Sequence, residues 1–194
     1  MERVSLALLH YPVRQGGRTI TSSITNFDIH DLARLAATYG LGAFYLVHPD
    51  EGMRALATEF VSHWFDGAGR LFNPDRTAAL EKLRIVRMLD EAIADIEKRE
   101  GERPFILATS ATERPKTLSG EQVAGLGARP LLVLFGTADG ISEELDDIID
   151  GYAEPIDPGT GYNHLSVRSA ASIFVDRLHS CKYKPLPFLR NEGV

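Results

Sequence analysis

Cysteine is nearly missing from these 194 residues: Cys181 stands alone, so no disulfide can form within the chain, and a reducing cytoplasm is the expected setting. Neither a cysteine pair nor an HExxH-like spacing occurs, so no metal site is expected. No apolar run approaches the length of a bilayer span, and the chain opens on a strand-like run in place of a basic segment followed by an apolar one. Neither a membrane span nor a signal peptide is therefore expected. Three signatures are missing as well: GxGxxG after the first strand, GxxxxGK[ST], and the GxSxG elbow, which sets aside the common nucleotide-cofactor and serine-hydrolase classes. Positive charge is in deficit. The formal net charge of −6 argues against coating nucleic acid by bulk electrostatics and leaves only a local basic patch for that purpose.

What is present suffices for one full core: 44% of the residues are hydrophobic, no repeat occurs, and residues 1–194 read as a single domain. Val4–Leu9 (VSLALL) is an apolar run without helical period, the mark of a buried strand. A polar, glycine-bearing loop with Arg14 and Arg18 follows. DIHDLARLAATYG then reads as a helix capped by Asp28 and ended by Gly40, with Ile29, Leu32, Ala33, Ala36 and Tyr39 on one face. AFYLVH (43–48) is a second strand, and Met53, Leu56, Ala57, Phe60, Val61 and Trp64 mark an amphipathic helix. Asn73-Pro74 opens a short helix. The segment around IVRM fits either one long helix or a brief strand before a helix from Leu89 to Glu100, and the strand is preferred. PFILATS (104–110) and PLLVLFG (130–136) are strands, with a capping box of Ser119 and Gln122 between them. A short strand near Tyr152–Ile156 and a helix from Ser166 to His179 complete the pattern.

Strands alternating with helices predict an α/β fold, a mostly parallel sheet with helices on both faces. Ligands in such folds sit beyond the carboxyl ends of the strands. Three segments there are rich in small and polar residues: ATSATERP, FGTADGIS and DPGTGYNHLS. FGTADGIS alone is adequately explained as a tight strand-to-helix turn, with Gly136 and Gly140 also permitting close approach of a ligand to the main chain. GTGYNHLSVRSA carries more polar groups than a cap needs, and Arg168 with His164 places positive charge at a helix start, where the dipole disfavours it unless an anion or another partner is near.

LLVLFGTADGIS, HLSVRSAASIFVDRL and DIHDLARLAATYG, taken together, resemble the motifs of the SPOUT class of S-adenosylmethionine-dependent RNA methyltransferases. The second is similar to that class's "SLNVSVAAAI", with Ser166 where asparagine usually stands. The third is similar to "NIGAIARTAAxFG", with Asp28 at the asparagine and Arg34 at the arginine. YNHLSVRSA and TSSITNxDxHDxAR also resemble a small bacterial subfamily found alone or fused to tRNA (guanine-N1) methyltransferases.

This resemblance implies a C-terminal trefoil knot, S-adenosylmethionine as cofactor, tRNA or rRNA as substrate, and a homodimer that shares its pocket. It implies that Ala108, Thr109, Gly136, Thr137, Gly140, Ile156, Tyr162, Asn163, His164, Leu165 and Ser169 hold the cofactor. Arg34, Asp31, Arg168 and His164 become the catalytic candidates, with Asp28 or Asp31 as possible bases. Because the arginine guanidinium keeps its proton in proteins, Arg34 is better suited to orient ribose or phosphate than to take a proton. Asn26, His30 and Arg34 recur at i, i+4 and i+8 and form one polar stripe if the helix starts early; with Asp28, Arg14 and Arg18 they are the substrate-side candidates. Lys182, Lys184 and Arg190 are further candidate phosphate contacts. A rival from another class is a non-catalytic module that binds cofactor and RNA for a partner enzyme.

Overall fold

A computed structural model of the chain describes residues 1–66 and 69–182, so Lys184 and Arg190 lie outside the described residues. The sheet is built from β1 (Val4–Leu9), β4 (Phe44–Val47), β5 (Leu83–Val86), β6 (Phe105–Ala108), β7 (Thr117–Leu118), β8 (Leu131–Gly136) and β9 (Gly151–Ala153). Their order is β5-β4-β1-β8-β6-β9-β7, and every pairing is parallel. β1 lies near the middle, which is why all six of its residues are buried. It divides the core between two faces. Leu6 and Leu8 pack with α1 (Asn26–Thr38), α2 (Glu51–Asp66) and α7 (Val167–Lys182), whereas Ala7 and Leu9 pack with α5 (Leu89–Glu100). Three short helices, α3 (Gly69–Phe72), α4 (Pro74–Leu80) and α6 (Gly120–Ala124), complete the set.

Most expected elements are present, including the strand at IVRM and the helix from Leu89 to Glu100. Four details differ, each for a local reason. The polar loop after β1 contains an antiparallel hairpin of β2 (Val13–Gln15) and β3 (Arg18–Ile20), turned by Gly16 and Gly17 at φ 56° and 78°. Helix α1 begins at Asn26 because Thr25, not Asp28, is its cap: Thr25 Oγ1 accepts from the Asp28 N–H at 3.3 Å. Helix α2 lies at the margin of the sheet against α3, α4 and β5, so only Ala57 and Val61 of its apolar face are buried. β7 is two residues long, too short to leave a sequence period.

The order of insertion matters for the site. β8 enters between β1 and β6, and β9 enters between β6 and β7, after the flanking strands have been laid down. The loops leaving β6, β8 and β9 therefore emerge side by side at the carboxyl end of the sheet.

Candidate active site

The loop after β8 is folded on itself. Gly140 N–H donates to the Thr137 carbonyl at 3.0 Å, and Ala138 and Gly140 have φ of 53° and 109°. A Cβ on Gly136 would meet Ile141 N at 2.8 Å and Gly140 C at 2.9 Å. Glycine at 136 is thus required by the loop's own main chain, in line with the tight strand-to-helix turn read from the sequence. The hairpin closes on the same loop: Arg14 N–H donates to the Gly140 carbonyl and Asp139 N–H to the Arg14 carbonyl, both at 2.9 Å. Asp139 Oδ2 also accepts from Gly16 N–H at 2.8 Å.

The other two loops are pinned as well. Thr109 gives both its N–H and its hydroxyl to the Leu134 carbonyl, at 3.0 and 2.9 Å. Asn163 Nδ2 donates to the Ala111 carbonyl at 2.7 Å, tying the segment before α7 to the loop after β6. Ser166 caps α7, accepting from Ser169 N–H at 3.3 Å. Much of the polar excess around Tyr162–Ser169 is therefore spent inside the protein. The main chains of Ile156, His164 and Leu165 are different: among the described residues they make no hydrogen bond. Unpaired main-chain groups are normally met by water or ligand.

The first turns of α1 and α7 meet beside these loops. Arg168 Nη1 donates to Asp31 Oδ2 at 2.8 Å, and its Nε lies 3.4 Å from Asp28 Oδ1. The second oxygen of Asp28 accepts from the Thr25 hydroxyl at 2.5 Å. Asp28 is buried, while the Asp31 side chain is 45% exposed, so only Asp31 is open to a substrate. The Arg168 guanidinium also sits 5.5 Å from the ring of Phe27, which is 69% exposed. Tyr162 and Leu165 are exposed apolar residues just before α7.

The remaining expected residues divide. His30 turns away: its ring meets Trp64 edge-on at 5.8 Å, and Arg76 lies over the same indole. Burial, then the Arg76 and Arg34 charges, lower its pKa against the opposing pull of Asp31. The stripe of Asn26, His30 and Arg34 exists because α1 starts early, but its middle member faces α2 and α4. Arg34 is exposed and makes no ion pair among the described residues. Arg14 is paired with Glu143 at 2.5 Å, and Arg114 lies 3.6 Å from the same carboxylate oxygen, so two arginines share one carboxylate. Arg18 is exposed on the hairpin. His164 is exposed, 5.2 Å from the Tyr162 ring. An open cleft of about 820 Å³ lies elsewhere, at the amino end of the sheet between Met1–Val4 and Gly127–Arg129.

Three residues were not foreseen. His10 and His48 end the strand runs LALLH and YLVH, and both are buried with ring centroids 5.7 Å apart. Ser22 lies between them, bonded to His10 Nδ1 at 2.9 Å and to Thr137 Oγ1 at 2.5 Å. Burial, with His48 adding to it, lowers the His10 pKa to about 4. The one signal was positional: a histidine directly after each of two apolar strands, at the end of the sheet where ligands bind.

Comparison with known proteins decides the family. The chain matches the family of SAM-dependent RNA methyltransferases over residues 3–180. It belongs to that family. A tRNA (guanine-N(1)-)-methyltransferase of Oleidesulfovibrio alaskensis is 45% identical over 173 residues, 89% of this chain but only 41% of that relative's length. An uncharacterized protein of Aquifex aeolicus is 38% identical over 183 residues, covering 92% of this chain and 89% of that one. The fold is that of the TrmH/SpoU tRNA-modifying enzyme of Aquifex aeolicus, at a TM-score of 0.58 and 13% identity over 95% of this chain and 77% of that one. Family and fold agree: the chain is an α/β member of the SAM-dependent RNA methyltransferase family with the TrmH/SpoU fold. Among the described residues, no helix is long and apolar enough to cross a membrane, and no group of three acidic, histidine or cysteine side chains could hold a metal ion.

Proposed function

We propose that this SAM-dependent RNA methyltransferase acts on tRNA, with its cofactor held by the loops after β6, β8 and β9 and its acceptor nucleotide placed against the first turns of α1 and α7. The observation that carries this reading is the meeting of Asp31 and Arg168 beside the unpaired main chain of Ile156, His164 and Leu165. Those groups suit an adenine edge, and Tyr162, Leu165 and Ile156 supply apolar surface around it. Ala108, Thr109, Gly136, Thr137 and Gly140 give loop main chain, while Asn163 and Ser169 brace the loop and helix from within. S-adenosylmethionine supplies an already electrophilic methyl group when bound, so the protein's task is alignment and removal of one proton. Asp31, the open carboxylate, takes the proton; Arg168 holds it in place; Arg34 orients ribose or phosphate, since it is too basic to serve as the base. Asn26, Arg18 and Phe27 lie on the approach side.

Two coarser features belong to the same reading. Insertion of β8 and β9 between earlier strands, with the Asn163–Ala111 bond, supports a trefoil knot in one domain. Exposed Phe27, Tyr162 and Leu165 support a homodimer through α1 and α7, although Asp31 and Arg168 already meet within one chain. The cytoplasm follows from an RNA substrate. A second reading has one observation in its favour: this unit spans 41% of a guanine-N1 methyltransferase relative, as an appended binding module would. Calorimetric titration with S-adenosylmethionine tests the cofactor site in both readings, and the absence of binding would refute it. Binding without methyl transfer to tRNA would favour the module.

A further inference from the structure

Ser22 stands three residues before the cap of α1, and every polar group it owns is bonded to a strand end. Its N–H donates to the His10 carbonyl at 2.9 Å, its carbonyl accepts from His48 Nε2 at 3.0 Å, and its hydroxyl lies between His10 Nδ1 and Thr137 Oγ1. The direction of each bond follows. Asp50 N–H donates to His48 Nδ1 at 3.1 Å, so that nitrogen is bare and Nε2 carries the proton given to Ser22. Thr137 has one hydroxyl proton, and it goes to the Leu9 carbonyl at 3.3 Å. Ser22 must then donate to Thr137, and His10 must donate to Ser22 from Nδ1. His10 Nε2 is left as a buried acceptor without a partner. The opposite assignment would bury an orphaned N–H, the rarer and costlier case. Because the relay ends on a main-chain carbonyl, it leads a proton nowhere. Its effect is positional.

The two ends of this relay belong to different halves of the site. Thr137 lies in the loop after β8, on the cofactor side. Ser22 leads through buried Ile24 to Thr25 and thence to Asp28 and Asp31, on the acceptor side. We propose that His10 is a positioning residue for methyl transfer: acting through Ser22, it keeps the first turn of α1 in register with the loop after β8, so that ordering one orders the other. The idea rests on the functional reading above.

Hydrogen exchange on the whole chain, with and without saturating S-adenosylmethionine, tests it. In the parent, amides of both 137–142 and 21–28 are expected to slow on binding. In His10→Ala the slowing at 137–142 should remain and that at 21–28 should vanish, with single-turnover transfer down about tenfold and cofactor affinity within about threefold of the parent. His10→Asn, whose amide nitrogen takes the place of Nδ1, should restore both; His10→Gln, which reaches the Nε2 position, should not. Coupling that persists in a folded His10→Ala, or Asn and Gln variants that behave alike, would overturn the assignment. If His10→Ala fails to fold, Ser22→Ala, which keeps the main-chain bonds, carries the same comparison. A parent that binds cofactor but slows only at 137–142 sinks the coupling alone, whereas a parent that binds no cofactor sinks the functional reading and the coupling with it.

Discussion

At the scale of single residues, charge is handled differently at each histidine and arginine of the site. His10 is buried as the neutral ring, beside His48, and its pKa is lowered to about 4 from the usual 6.5. The unfolded chain therefore takes up the proton first as pH falls, and the contribution of the neutral ring, fully present above 6.5, drains away between 6.5 and 4. Each tenfold difference in proton affinity is worth about 1.4 kcal/mol, so roughly 2 kcal/mol should be lost between pH 7.5 and pH 5. His30, also lowered, adds in the same sense. Urea unfolding of the parent and of His10→Asn at both pH values checks this: between them the parent should lose about 2 kcal/mol more than the variant, and an equal loss in both would contradict it. Arg168 is the opposite case, a cation spanning Asp31 and Asp28. Lysine is a point charge that cannot copy the fork. Arg168→Lys should keep cofactor affinity, lose under 1 kcal/mol of stability because the pair is partly exposed, and slow single-turnover transfer about ten- to a hundredfold. A transfer rate equal to the parent's would remove Arg168 from the site.

At the scale of elements, the loop after β8 is the most constrained piece. A methyl group at Gly136 would press on the main chain of Gly140 and Ile141, which no rotamer change can relieve. Gly136→Ala should cost about 1–3 kcal/mol in urea unfolding and weaken S-adenosylmethionine binding together with it, because the loop must move. Loss of binding without loss of stability would mean that the glycine serves the ligand instead. The same element shows what could and could not be read from residues alone. Runs such as VSLALL and LLVLFG announce buried parallel strands because no charge interrupts them and they lack a helical period, and Ser119 with Gln122 announces a helix start because the box is local chemistry. The docking of the hairpin at 13–20 was illegible because the loop it meets is more than a hundred residues away, and the Asn163–Ala111 bond because it joins two separate loops. His30 carried the right spacing and the wrong direction, since Trp64 and Arg76, which hold it, come from other helices. The Ser22 relay has no spacing at all: three strand ends meet only after the sheet is assembled.

At the scale of the whole molecule, a net charge of −6 must be reconciled with the proposed RNA substrate. Doubling the chain is one way to extend a weak local surface, and the apolar Phe27, Tyr162 and Leu165 beside the site suit a partner copy. Equilibrium sedimentation at micromolar concentration should give twice the 21.4 kDa chain mass. A monomer that still methylates RNA would end the shared-surface idea while leaving the single-chain Asp31–Arg168 site intact. The central claim is transfer itself, by this chain, at this site. It is tested most directly by incubating the purified protein with S-adenosylmethionine carrying a radiolabelled methyl group and a pool of unmodified tRNA, beside the Asp31→Asn variant. Label should enter the tRNA with the parent, and the rate should fall by at least about a hundredfold with the variant while cofactor affinity persists. Equal incorporation by both would contradict the assignment of Asp31, and no incorporation by a parent that binds the cofactor would contradict the claim of catalysis.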